Sequence, residues 1–418
     1  MVSSKPLECV VVGGGIHGTC IVNYLLEDGG YTREDVRIVE PNEELLASFE
    51  RKARQCGMGT LRSTFVQHID TEPFSLEEFA TVRGRDGELV ATDGYPNRPT
   101  LDLFIDHARH VVDRENIGAC HHRARVDGIH DESDCLRVET DDGPVYARRV
   151  VLAIGLGHRS TYPEWARRLP DSAPVAHVWN DEFDPTAFEE CEGETVVVGG
   201  GITAAQLACR LAETTDVTLL SRHELETALS EADPYWINWR HVESHLHELP
   251  PGSRARHDRV RQARNDATIP PYVEDRLADA HARGDLDVRI GEISCAHASD
   301  DELVVRFADG RSASNVRVVL ATGLDPVADH PLVERVADAL DLERGEMGFP
   351  LLADRTLAWR RTDGTESNVY VSGALAEPTV GPLARNVVGA RRAAERLLSA
   401  WPDPRNRRRA ALRSALLD

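Results

Sequence analysis

Glycines at positions 13, 15 and 18, in VVGGGIHG, stand where a short β-branched run gives way to an amphipathic one. Missing side chains at such a turn let backbone N–H groups, and the N-terminus of the helix that follows, face a diphosphate. Glu40 stands 22 residues beyond Gly18, at the end of the next apolar run, DVRIVEP. A carboxylate there accepts hydrogen bonds from the ribose hydroxyls of an adenosine. The pattern returns 186 residues later as VVVGGGITA, with Gly199, Gly201 and Ala204 in the three places. Its second run ends VTLLSRH, so Ser221 and Arg222 stand where the first copy has Glu40. A carboxylate would repel a 2′-phosphate, whereas serine and arginine would bind one, so the second site reads as NADP(H) and not NAD(H).

Regular elements must hold these turns. LECVVVGGGIHGTCIVNYLLEDG predicts a strand, a tight turn and a helix whose Ile21, Val22, Leu25 and Leu26 recur at helical spacing. With DVRIVEP it makes a β-α-β unit, and ETVVVGGGITAAQLACRLAETTDVTLLSRH repeats it. Each copy runs on into a meander of short strands that ends VVLAIG in the first and VVLATG in the second. A repeat of about half the chain signals domain duplication. Between the second fingerprint and its meander lies a helical insert, rich in Arg and His, whose Tyr235, Trp236 and Trp239 could pack on the domains or line a site.

At 418 residues the chain exceeds what one core usually organises. The expected fold is α/β, with two Rossmann-like dinucleotide-binding domains, each carrying a small β-meander, the second inserted in the first. The boundaries expected are 1–188 and 324–418 for the first domain and 189–323 for the second. The formal net charge of -22 argues against a nucleic-acid partner. Lys5 and Lys52 are the only lysines among 48 cations, a composition like that of proteins from salt-loving microbes. Eight cysteines include no C-x-x-C pair, which speaks against a redox dithiol. Neither a signal segment nor a membrane-spanning run is evident, so a cytoplasmic protein is expected. His241, His245 and His247 lack the H-E-x-x-H pattern of a zinc site and read as a hydrated surface, and the RNRRR tail reads as a solvated helix end.

A Glu-ended fingerprint near the N-terminus, an inserted second fingerprint with Arg at its strand end, and a returning C-terminal segment resemble the two-dinucleotide-binding-domain flavoproteins. MGTLRSTFVQHIDTEPFSLEEFA, NRPTLDLFIDHARHVV and PVAHVW are most similar to the flavin-dependent N-hydroxylating monooxygenases and their flavin-containing relatives. The resemblance implies FAD on Gly13, Gly15, Gly18 and Glu40, NADPH on Gly199, Gly201, Ala204, Ser221 and Arg222, and Gly155 and Gly323 near the two nucleotides. Gly373 would meet the ribityl chain, but Ala374 follows it where such flavoproteins usually carry Asp, so Glu377 or backbone groups would have to supply that contact. GPLARN, with Gly381 and Leu383, would open the final helix at Pro382 and stabilise negative charge on a reduced flavin ring. Arg62, Gln67 and His68 are the candidates for the flavin and oxygen pocket. The activity implied is NADPH-driven oxygenation of a small amine or other nucleophile. The F-x-G-x-x-x-H-x-x-x-W signature of carbonyl-inserting relatives is absent, since His177 and Trp179 lack its spacing. An NADPH:acceptor oxidoreductase and a non-catalytic nucleotide-binding protein are the alternatives, and no metal is implied.

Overall fold

Val10, Val11 and Val12 are almost wholly buried, as parallel strands covered on both faces must be. In the computed structural model, which describes residues 5–157, 159–189, 193–299 and 302–404, strand Cys9–Val12 lies at the centre of a six-stranded sheet. The order is Ala358–Arg360, Glu366–Val371, Val150–Leu152, Cys9–Val12, Val36–Val39 and His121–His122, all parallel except the first. The second sheet runs Val175–His177, Arg317–Leu320, Thr195–Val198, Val217–Ser221 and Leu286–Ile290, parallel throughout. Each sheet has its antiparallel three-stranded companion, at Val126–Glu132, Cys135–Thr140 and Val145–Ala147 and at Ile293–Ser299, Glu302–Phe307 and Ser312–Ala313. The duplicated β-α-β plan and its meanders are therefore present.

One boundary moves. Val175–His177 pairs with Arg317–Leu320, so PVAHVW is an edge strand of the second sheet and not the tail of the first domain. The second unit thus begins before residue 175, ahead of the expected 189. The connections between units run side by side: Ser160 bridges Leu324, Thr161 N–H donates to the Gly323 carbonyl at 3.0 Å, and Arg159 pairs with Asp325 at 2.9 Å.

The insert reaches back onto the first unit. Trp236, Val242, Leu246 and Val260 pack with Leu383 and Val388 of the C-terminal segment. The Arg396 guanidinium lies 3.7 Å from the Trp239 ring, and His247 Nε2 donates to the Thr379 carbonyl at 2.8 Å. The basic tail from residue 405 onward, like Cys191, lies outside the described residues. No helix among the described residues is long and apolar enough to cross a membrane.

Candidate active site at two glycine cradles

The glycines of the first turn divide by what surrounds them. A Cβ on Gly13, whose φ is +106°, would come 2.4 Å from the Ala153 carbonyl oxygen, and one on Gly18 would come 1.9 Å from that of Gly13. Both are needed for the chain's own close approach. A Cβ on Gly15 meets nothing within 4 Å. Gly15 is also the N-cap of helix Ile16–Glu27, which carries no acidic residue in its first turn, so the free N–H groups and positive dipole end are not neutralised locally. This is a cradle that fits a diphosphate.

Glu40 forms its rim. Only 8% exposed, it accepts from Gly14 N–H at 2.7 Å through Oε2 and from Asn42 N–H at 3.0 Å through Oε1. A Cβ on Gly14 would fall 2.8 Å from Glu40 Cγ, so the carboxylate rests directly on the turn. The opposite wall is the Ser372–Gly373 turn, with Gly373 at φ +79°. His17 ties the two together, its Nδ1 being 2.8 Å from Ser372 Oγ. Burial pushes this imidazole down to about 4, and the adjacent Arg385 and Asn386 backbone partly opposes the shift.

The second turn repeats the plan. A Cβ on Gly199 would sit 2.6 Å from the Ala321 carbonyl oxygen, whereas one on Gly201 has its nearest neighbour at 3.9 Å. Ala204, 1% exposed, takes the third place without crowding the turn out of shape. In front lies a cavity of about 940 Å³, lined by Gly199, Gly200, Gly201, Arg222, His223 and Gly323 among others. That volume suits a dinucleotide. Gly155 and Gly323 hold matching conformations, φ +87° and +86°, and a Cβ on either meets nothing within 4 Å. Leu156, beside Gly155, lines a smaller cavity of about 290 Å³ between the units, together with Arg261, Arg264, Ala374, Glu377 and Arg385.

Several expected site residues have other partners. Ser221 is 1% exposed, donating to the His223 carbonyl at 2.7 Å and accepting from its N–H at 3.3 Å, so it shapes the turn and does not line the cavity. Arg62 is spent on the Ala228, Leu229 and Ser230 carbonyls and on Thr268 Oγ1, which makes it a strut between units. His68 is fully buried. Its Nδ1 accepts from Asp70 N–H at 3.2 Å, leaving Nε2–H to donate to the Pro73 carbonyl at 3.1 Å, and burial pushes its pKa down to about 4. Arg62 and His68 are thus engaged within the chain, and neither they nor Gln67 line the two cavities above.

The end of the chain is also corrected. The final helix spans Val387–Ala400 with Asn386 as its N-cap, so Pro382 does not open it. Ahead of it, Glu377–Val380 forms one helical turn that stops at Gly381, φ +98°, whose missing side chain leaves room for Trp236. Leu383 is a core residue of the insert's apolar cluster. Glu377 is 6% exposed and bonded to Arg385, at 2.6 and 3.0 Å, and to Arg264, at 3.2 Å. Its carboxylate is engaged by two guanidinium groups and not left for a ribityl chain. The sequence reading missed His17, His223, Arg264 and Arg385 in these roles; only His17 and His223 carried a signal, lying in and just beyond the fingerprints. Among the described residues no group of three or more His, Cys, Asp or Glu could hold a metal, and His241 and His245 stack with ring centroids 3.8 Å apart.

Known proteins share the fold that carries these turns. A sequence family described as FAD-NAD(P)-binding matches residues 10–157, the first fingerprint through Gly155. An uncharacterized oxidoreductase CzcO-like of Geobacillus kaustophilus is 28% identical over 138 residues, 33% of this chain and only 38% of that relative's length. In structure, an ornithine N-hydroxylase of Kutzneria sp. 744 aligns with a TM-score of 0.73, covering 95% of this chain and 99% of that one at 18% identity. The chain has the two-dinucleotide-binding flavoprotein fold. An L-lysine 6-monooxygenase of Pseudomonas syringae shares it, with a TM-score of 0.69 at 18% identity over 94% of this chain and 98% of that one. In this fold the 290 Å³ cavity lies where the two nucleotide-binding units meet, beside the Gly373–Ala374 turn.

Proposed function

We propose that the first cradle binds FAD, the second binds NADPH, and the chain is a flavin-dependent monooxygenase of the N-hydroxylating type acting on a small amine or another nucleophilic small molecule. The observation that carries this is the end-to-end alignment with a solved ornithine N-hydroxylase. Bound together, the two nucleotides supply hydride transfer and activation of molecular oxygen. The chain supplies the rest. Gly15 and the N-terminus of Ile16–Glu27 hold the flavin diphosphate, Glu40 its ribose, and Gly199, Gly201 and Arg222 hold the second nucleotide. Arg264 and Arg385, joined through Glu377, clamp the insert against the C-terminal turn and line the small cavity. The seven described cysteines are all unpaired, which suits the reducing cytoplasm.

The test is NADPH oxidation by flavin-loaded enzyme in concentrated salt against a panel of diamines, basic amino acids and sulfides, with product and hydrogen peroxide both measured. Acceleration by one substrate, with hydroxylated product matching the NADPH consumed, is the expected result. Reducing equivalents that pass only to peroxide or to an added quinone would overturn it in favour of an NADPH:acceptor oxidoreductase. A yellow protein that NADPH does not bleach would make it a nucleotide-binding protein without catalysis.

A further inference from the structure

Leu286–Ile290 ends the second sheet: its inner edge pairs with Val217–Ser221, and no described strand pairs with its outer edge. The ladder fixes what that outer edge presents. Val217 N–H donates to the Asp285 carbonyl and Gly291 N–H to that of Ser221, so in this register Asp287 and Arg289 turn their backbone groups inward, and Leu286, Val288 and Ile290 turn theirs outward. Such an open edge is a template for another strand. One outward carbonyl, that of Leu286, accepts from His281 Nδ1 at 2.9 Å and keeps a second lone pair. The side chains alternate as well. Asp287 and Arg289 share one face, 2.7 Å apart, while the other carries Val288 and Ile290, which are 38% and 60% exposed although both are apolar.

We propose that a second copy of this chain docks on this edge, antiparallel, about a two-fold axis through Val288, so that one continuous sheet runs through both copies. Charge singles out that register. Centred on Val288, each Asp287 lies opposite Arg289 of the second copy, in the non-hydrogen-bonded positions where facing side chains come closest. An axis through Asp287 would instead set two carboxylates face to face, and one through Arg289 two guanidinium groups. In the same register Val288 meets its own copy and the exposed Ile290 lies beside Leu286, so the apolar side chains are covered together. A two-fold joint of this kind uses each edge once and stops at two copies. Against it stands the net charge of -22 on each copy, which concentrated salt screens. The joint is narrow, so the association is reversible and depends on concentration.

Sedimentation velocity of the flavin-loaded full chain tests this over a concentration series in ~1 M salt, where the Debye length is ~3 Å, together with hydrogen exchange of the segment 286–290. Wild type is expected to pass reversibly from one copy to two as concentration rises, with exchange in that segment slowed in the dimer. Val288→Pro removes an outward N–H and no bond to Val217–Ser221, so it should abolish the dimer while the melting temperature of the monomer holds. Asp287→Arg and Arg289→Asp each set like charges opposite one another and should weaken the dimer about tenfold or more. The double variant, Asp287→Arg with Arg289→Asp, restores opposite charges and should recover it. A wild type that stays monomeric throughout, a dimer that all these variants leave unchanged, or single variants that the double does not rescue would overturn the proposal.

Discussion

Gly15 and Gly18 lie three residues apart in the same turn, yet the structure gives them opposite sensitivities. Gly15 has φ −75° and no atom within 4 Å of a Cβ, so a valine there strains nothing in the empty protein. It loses a few tenths to about 1 kcal/mol as a helix N-cap, and regains a comparable amount by restricting the unfolded chain. The melting temperature of flavin-free Gly15→Val should therefore stay near that of wild type. Binding is another matter, because the open space is the space a diphosphate needs. Displacing the phosphate from two backbone N–H groups, at ~1.5–3 kcal/mol for each charge-assisted bond, weakens FAD by ~10²–10⁴-fold. Gly18→Ala reverses the pattern: its Cβ would lie 1.9 Å from a backbone oxygen, so helix and strand must separate, at a cost of ~1–3 kcal/mol or more. The assay pairs flavin content after purification, and FAD affinity by fluorescence quenching, with thermal melts of the apoproteins. Colourless Gly15→Val with a wild-type melt, beside a destabilised Gly18→Ala, is expected. Stoichiometric flavin on Gly15→Val would show that the turn does not touch the diphosphate.

Other sites give shorter tests. His68, His107 and His177 are all buried, and burial pushes them down to about 4, 3 and 4. The unfolded chain takes up protons below pH ~6.5 that the folded one refuses, so up to ~3 kcal/mol per histidine is lost as pH falls from ~6.5 towards 4; urea midpoints that stay flat between pH 7 and 5 would refute this. Asp70 acts lower: burial opposes its ionisation, but Arg114 and Ser75 hold its carboxyl down to about 2, so its contribution goes only below pH ~4. Glu377→Gln leaves Arg264 and Arg385 without their shared carboxylate and should cost ~3 kcal/mol in a melt while flavin content holds; loss of flavin with an unchanged melt would instead put Glu377 on the cofactor. Arg62→Ala removes the strut to residues 228–230 and should lower the melting temperature with kcat nearly intact, whereas a collapse of kcat at an unchanged melt would restore Arg62 to the chemistry.

The elements around the two cradles were legible because their signals are local: a β-branched run, glycines at fixed offsets, and an apolar helix stripe. Whether a polar side chain faces a ligand or its own chain is a long-range fact. Arg62 and Ser221 belong to residue types that bind anions, but the first meets carbonyls more than 160 residues away and the second closes a turn on His223. His68 looked reactive in a histidine-containing loop, yet Asp70 and Pro73 satisfy both its nitrogens within five residues. PVAHVW is too short to declare which sheet it joins, and only its pairing with Arg317–Leu320 decides. Pro382 suits the first turn of a helix, but Trp236, brought in by the insert, packs on Gly381 just ahead of it and the helix starts later, at Val387.

That last misreading points to what the insert does. Its tryptophans, His247 and Arg264 all touch residues 377–396, the segment between the Ser372–Gly373 wall of the first cradle and the end of the final helix. Ala374, and not the acid expected from the resemblance, follows Gly373 at that wall. Here the wall is held from behind: His17 grips Ser372 from the fingerprint, and Glu377 is fixed by one guanidinium from its own segment and one from the other unit. Because Arg264 also donates to Asp266 and to the Pro382 carbonyl, the second unit cannot swing away without breaking bonds beside the first cradle. This network couples the order of the Ser372–Gly373 turn to the placement of the second unit.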